Sequence, residues 1–421
     1  MSNLEYKQIS RKVFFNKAKY NYFLMLLIVF GGFLIFGLSE NVRGPAIPVI
    51  QNDFQLTQTH LGALLALNSL GYLLACSFTS ILANKIGIKW TGITAFLSMT
   101  AAGFIIFFST TFTTLSASFF FLYIGNGMLE IGLGIMAARI FTKNTGMMMN
   151  LSHFFYGLSS TVAPIMAASI MGWNGLGGEE FGWRGMYLFI LCFSLLPIIP
   201  SLLGIFPTEK IEEGTVLSFK SLSRDPIAWL IVAILSFGVV SELAVGGWLI
   251  NYLVKAYQWE ITDASHMLSL FFLFFMLSRL LLGPLTDKVG FTKSIMIFSA
   301  FSGICNFAAI IIGEKGAILF AVSGAGIALI YPTVMALLAK RYPNGTGTAI
   351  TFTVTLMGIA SVIGNFLIGF IIDFVTNVFS NGENELIGLQ AGYGFIALLA
   401  ILCSGCCYVL YRIFRNRNEL V

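Results

Sequence analysis

Long, nearly uninterrupted apolar stretches alternate along this chain with short polar segments. The apolar stretches lie near residues 22 to 51, 59 to 83, 88 to 109, 112 to 141, 146 to 171, 186 to 206, 227 to 256, 263 to 285, 291 to 312, 316 to 339, 347 to 375 and 388 to 413. A helix needs roughly 20 mostly apolar residues to cross a bilayer, so the pattern predicts about twelve membrane spans. Composition agrees: 57% of the 421 residues are hydrophobic, 10% are charged and the mean hydropathy is +0.86. That leaves too little polar surface for a water-soluble globule. Residues Met1 to Tyr20 are basic and polar and run into the first apolar stretch without a small-residue cleavage site, so the first helix is expected to stay in the mature protein.

The polar segments carry a charge asymmetry. With alternating spans and an inside N-terminus, Lys7, Arg11, Lys12, Lys17, Lys19, Lys85, Lys89, Arg139, Lys143, Lys210, Lys220, Arg224, Lys288, Lys293, Lys340, Arg341, Arg412, Arg415 and Arg417 fall on one side. Arg184, Lys255 and Lys315 fall on the other. The positive-inside rule then predicts a multi-pass protein of the plasma membrane with both termini cytoplasmic. An odd number of spans would scramble this division. The net charge of +5 is accounted for in this way and calls for no nucleic-acid partner.

The longest charged segment, Pro207 to Pro226, reads as a cytoplasmic linker between a six-helix bundle at 1–206 and a second at 227–421. Laying the second half on the first brings Ser39-Glu40 onto Ser241-Glu242, Gly44 onto Gly246, and Asn84-Lys85-Ile86-Gly87 onto Asp287-Lys288-Val289-Gly290. A repeat of six spans implies parallel halves about an axis along the membrane normal, with a solute site between them near mid-membrane. The six cysteines lie inside apolar runs, suggesting neither a disulfide framework nor a metal site.

The stretch from Gly283 to Lys293, with Asp287 and Gly290 at its centre, closely resembles the cytoplasmic loop signature of the major facilitator superfamily. A degenerate copy runs from Ser80 to Lys89. The resemblance implies an all-α fold of twelve helices in two pseudo-symmetric bundles. It also implies a gating role for Asp287, Gly283 and Gly290, with Arg279 nearby as a cationic partner and glycine permitting close helix approach. Within the superfamily the chain is similar to the fucose, galactose and glucose proton symporters through Leu129-Glu130, Asn150, His153, Gly157, Pro164 and Tyr331-Pro332-Thr333. That group carries an acid in its first span. The matching place here is Gly44, and Glu40 stands one helical turn earlier.

Charged side chains within spans cost about 2.5 to 3.5 kcal/mol each on insertion scales, so those retained point to function or to fixed partners. Glu40 and Arg43 share a helix face and form a candidate ion pair. Glu130 lies among small and polar residues that admit water. A carboxylate alternating between a dry setting and an arginine such as Arg43 can load and release a proton, which makes Glu130, Glu40 and Arg43 the expected coupling residues. A static pair fixing helix packing is the competing reading. Glu242 repeats Glu40 in the second half and is followed by Trp248, Asn251 and Tyr252, a stacking and hydrogen-bonding set suited to a sugar. The same residues also suit a membrane interface. Asn41, Asn126, Asn150, His153 and Asn365 complete the candidate solute contacts, although intramembrane amides equally serve as bonds between helices.

These residues fit a proton-coupled symporter importing a small solute, a monosaccharide foremost, with each chain a complete functional monomer in the bilayer. Sodium is the alternative coupling ion. The runner-up is a proton-driven exporter of drug-like or amphipathic compounds, for which the 41 Phe and 16 Met would supply an adaptable pocket. A membrane sensor would call for a signalling domain that the short polar segments do not provide. No nucleotide loop, metal-ligand set or activated nucleophile points to an enzyme or to a cofactor.

Overall fold

The computed structural model describes residues 3–141, 145–174, 180–206, 218–343, 345–380 and 384–417; the side chains of residues 3–18, 138, 139, 145–147, 149, 150 and 287 lie outside this description. Twelve helices among the described residues are long and apolar enough to cross a membrane. Spans one to six are Lys19–Asp53, Gln58–Ile86, Ile88–Phe107, Phe112–Ala137, Leu151–Met171 and Gly182–Leu203. Spans seven to twelve are Pro226–Tyr257, Ile261–Thr286, Phe291–Ile312, Glu314–Arg341, Thr346–Ser380 and Glu385–Asn416. The protein is all-α and membrane-spanning. With an even number of spans, both termini lie at one end of the bundle, termed here the termini end.

Apolar side chains cover the outside, with Ile205, Ile311 and Phe379 strongly exposed, as a surface meeting lipid requires. Three spans are interrupted, each beside a proline; span six breaks between Gly182–Cys192 and Ile198–Leu203 at Pro197, and spans one and ten break in the same manner. Span one consists of the helices Asn3–Asn41 and Arg43–Asp53; Pro45 has no N–H to offer the Asn41 carbonyl four residues back. Span ten breaks between Ile318–Ile327 and Ile330–Arg341; Pro332 likewise leaves the Ala328 carbonyl without its helical donor. The two copies of the loop signature turn alike. Gly87 and Gly290 both adopt left-handed φ values, 84° and 95°, which favour glycine, between the paired helices.

The first six spans meet the last six along glycine seams. In spans two and eleven Gly62 lies against the Asn365 carbonyl and Gly369 against that of Gln58. In spans five and eight Gly157 packs on Met276. In spans one and seven a methyl group on Gly44 would come within 3.3 Å of the Gly246 carbonyl. The place aligned with the symporters' first-span acid is thus a helix crossing with no room for a carboxylate. Gly283 behaves differently: a side chain there would meet nothing within 4 Å. Its expected close approach is absent in this arrangement.

Candidate functional site

The charged residues predicted within spans converge on one open cavity between the two sets of six helices, of about 990 Å³ with the solvent-open space included. Glu40 and Arg43 of span one, Glu130 of span four and His153 of span five face Glu242 of span seven, Arg279 of span eight and Asn365 of span eleven across it. Phe33, Phe36 and Tyr156 supply an aromatic flank, and Tyr72, Tyr123 and Tyr331 add phenolic hydroxyls.

Three acids share this space in different settings. Glu40 and Arg43, one helical turn apart, form a buried ion pair at 2.9 Å. The Tyr123 hydroxyl accepts from Arg43 at 2.8 Å, and Asn126 donates to the second carboxylate oxygen of Glu40 at 3.5 Å. Ser39 in turn donates to Asn126 at 2.9 Å. Glu130 accepts a hydrogen bond from the Tyr72 hydroxyl of span two. Glu242 accepts no hydrogen bond from a described residue, although it occupies the place in its half that Glu40 occupies in the first. A buried carboxylate gains stability from donors, so an acid lining a cavity without one is open to a ligand.

Arg279 departs from the expected gating position at the inner end of its span. Its Nε donates to the Ala328 carbonyl at 2.9 Å, and its guanidinium carbon lies 4.2 Å from the Phe275 ring centroid. The acceptor is the carbonyl freed by Pro332. An arginine thereby stands in the cavity wall, tied by one nitrogen. Tyr331-Pro332 was the sequence signal for this, since a proline inside an apolar span releases an acceptor at mid-membrane.

Several predicted contacts do not reach the cavity. Asn41 donates to Ser160 and to the Gly37 carbonyl, both at 2.9 Å, and ties spans one and five together. Asn126 sits behind Glu40 and outside the cavity wall. Trp248 and Tyr252 are buried farther along span seven, Tyr252 against Tyr257, Phe320 and Tyr393. They lie one or more turns beyond Glu242, where the halves are already in contact. Asn251 belongs to the same closed region. The side chains of Asn150 and Asp287 fall outside those described. Sequence reasoning passed over Ser69 and Ser361, which line the cavity beside Asn365; Asn365 donates to the Ser69 hydroxyl across the two halves at 3.2 Å.

The cavity is shut at the end remote from the termini. Asn251 donates to Gln51 and to Gln58, each at 3.2 Å. Asp373 of span eleven accepts from the first backbone N–H groups of span two, Gln58 at 3.1 Å and Thr59 at 2.6 Å. An acid at a helix N-terminus is favoured both by the unsatisfied N–H groups and by the helix dipole. Lys255 pairs with Glu385 at 2.8 Å, and Glu385 also accepts from Gln58. Toward the termini, the cavity residue His153 is solvent-exposed.

Comparison with known proteins adds relatives and structural likenesses. The chain is 25% identical over 381 residues to the Probable nitrate transporter NarT of Staphylococcus aureus (strain JH9), covering 86% of this chain and 91% of that protein. Its structure resembles a D-xylose-proton symporter with a TM-score of 0.75 at 15% identity, over 92% of this chain and 97% of the other. It also resembles the E. coli fucose:proton symporter FucP, with a TM-score of 0.63 at 16% identity over 93% and 99% of the two chains. The family profile of the Major Facilitator Superfamily matches residues 29–313 and 243–419, most of the chain. With twelve spans, paired signature turns and a charged cavity between the halves, the chain belongs to the Major Facilitator Superfamily and is a membrane transporter.

Proposed function

We propose that this transporter is a proton-coupled symporter of the plasma membrane, with cytoplasmic termini, that carries a small hydroxyl-rich neutral solute of monosaccharide type. The observation that carries this reading is the shared cavity of Glu130, bonded to Tyr72, and Glu242, which accepts no hydrogen bond from a described residue, surrounded by hydroxyl and amide groups. Carboxylates and amides accept from sugar hydroxyls, the tyrosines and Asn365 donate, and Phe33, Phe36 and Tyr156 offer faces for C–H contacts. Protonation of Glu130 neutralises an acid in a low-dielectric space, which favours solute binding. The loaded halves, 1–206 and 227–421 joined by the linker at 207–226, then rock to open toward the cytoplasm. Proton loss there favours release. Asp287, Gly283 and Gly290 form the latch of the termini end in the opposite state, and the chain works as a monomer.

Arg279 supports a second reading. Only its Nε donates a hydrogen bond among the described residues, so the terminal nitrogens are available to a small planar anion. The kinship with a protein named as a nitrate transporter points the same way. Three acids against two arginines make an anion a guest only after protonation, which keeps the neutral solute first. The same charges weaken the alternative of an exporter for amphipathic compounds.

Proteoliposomes tested with monosaccharides, nucleosides, nitrate and cationic dyes under either sign of pH gradient separate these readings. Accumulation of a sugar driven by outside acid is expected. Nitrate accumulation with no sugar uptake selects the second reading, and dye extrusion the exporter.

A further inference from the structure

Arg43 touches both halves of the transporter. On its own side it is held by Glu40 at 2.9 Å and Tyr123 at 2.8 Å, while its other terminal nitrogen donates to the Leu243 carbonyl of span seven at 3.3 Å. Its Nε is buried with no hydrogen-bond partner among the described residues. Directly beneath lies the Gly44–Gly246 crossing, and a methyl group on Gly246 would sit 3.7 Å from the Arg43 guanidinium. The two glycines let spans one and seven approach closely enough for the arginine to bridge them.

The physical argument concerns what a buried guanidinium does when its counter-charge goes. It carries five N–H donors and keeps its charge at any working pH, so loss of an anionic partner drives it to other acceptors. Besides the Tyr123 hydroxyl it already meets in its own half, the acceptor within its reach is the Leu243 carbonyl of the second half. Glu40 is also faced by Tyr123 and Glu130 of span four, Tyr156 of span five and Tyr187 of span six. Glu242, His153 and Arg279 share the cavity from farther away.

We propose that Arg43 is a positioning residue that converts the charge state of Glu40 into closure of the seam between spans one and seven. With Glu40 ionised the guanidinium is held within the first half and the seam is free to part. With Glu40 protonated it commits to the second half and holds the far end shut. This rests on the proton-coupled reading and deepens it: Glu130 remains the acid coupled to solute, and Glu40 acts beside it on the gate through Arg43.

The test uses the full chain in nanodiscs, with the six native cysteines replaced by serine and Asn251→Cys as a reporter. Asn251 is fully buried between Gln51 and Gln58, so a membrane-impermeant maleimide reaches that position only when the far end opens. Lowering the pH from 8 to 5.5 is expected to slow labelling by about tenfold with Arg43 present. The rate is expected to be flat with pH in Arg43→Met and partly restored to pH dependence in Arg43→Lys. Glu40→Gln is expected to label slowly at both pH values. This variant decides the matter if Arg43→Met fails a thermal-unfolding check of its fold. Glu130→Gln and Glu242→Gln, which alter the other acids facing the cluster, are expected to keep the pH effect. A pH-independent parent, or pH dependence surviving in folded Arg43→Met or in Glu40→Gln, overturns the proposal. Absent proton-driven uptake with intact pH-dependent labelling refutes the symporter reading alone. Flat labelling in a parent that accumulates solute refutes the role of Arg43 alone.

Discussion

The two halves share a repeat but have spent their polar residues differently. Glu40 and Glu242 occupy matching places, yet Glu40 lies in a cluster with Arg43, Tyr123 and Asn126, whereas Glu242 faces the cavity without a hydrogen bond from a described residue. The register that lays Asp287 on Asn84 lays Arg279 on Cys76, so the second half has a cation where the first has a thiol. By the same register Glu130 in span four falls on Thr333, just past the break in span ten, so the second half has no acid there. Duplication preserved backbone geometry, down to the left-handed glycines of the two signature turns, because that geometry serves packing. The charges diverged: the first half contributes Glu40, Arg43 and Glu130 to the cavity wall and the second Glu242 and Arg279.

The sharpest way to break this comparison is to remove one acid from each half. Glu130→Gln is expected to abolish uphill uptake, a loss of about 100-fold or more in accumulation ratio, while solute counterflow continues. Glu242→Gln is expected to keep coupling and raise KM by about tenfold, the effect of losing a charged hydrogen-bond acceptor for solute. Proton-driven uptake measured against counterflow in the same proteoliposomes reads both, and equal effects at the two positions would erase the functional asymmetry. Pro332→Ala tests the tethered cation. It restores a helical donor to the Ala328 carbonyl and releases Arg279, with an expected rise in KM of about fivefold and little change in thermal stability.

At the far end, Asp373→Asn removes the acid capping span two. An N-cap is worth about 1 kcal/mol, so labelling of a far-end cysteine should accelerate by about fivefold. The smallest effect is expected at Trp248, which seemed a sugar platform in the sequence and is buried away from the cavity. Its indole N–H has no hydrogen-bond partner among the described residues, so Trp248→Phe should change KM by less than about twofold. A larger change in transport kinetics would return Trp248 to the solute path.

Much of this was legible before any coordinates. The twelve spans followed from run length, and their observed limits lie within five residues of the apolar stretches, span nine matching at both ends. Glu40, Arg43, Glu130, His153, Glu242 and Asn365 were found because polar groups in an apolar run must face something other than lipid. The same criterion failed for Asn41, Asn126 and Asn251, whose partners turned out to be neighbouring helices. An amide bonded across a helix interface and an amide lining a cavity look alike in one dimension.

The sequence by itself determined how many times the chain crosses the membrane, that it does so as two related sets of six, and which spans carry charge. These are local properties: a hydrophobic length, a repeat register and the cost of an ion in hydrocarbon. Only the tertiary structure decided that Arg279 belongs to the cavity, that Trp248 and Tyr252 do not, and that one end is shut while the other admits solvent to His153. Those outcomes depend on the rotation and tilt of each helix against partners far away in the chain. Contacts such as Gly44 on Gly246 and Asp373 on the start of span two set them, and no property of a single span encodes them.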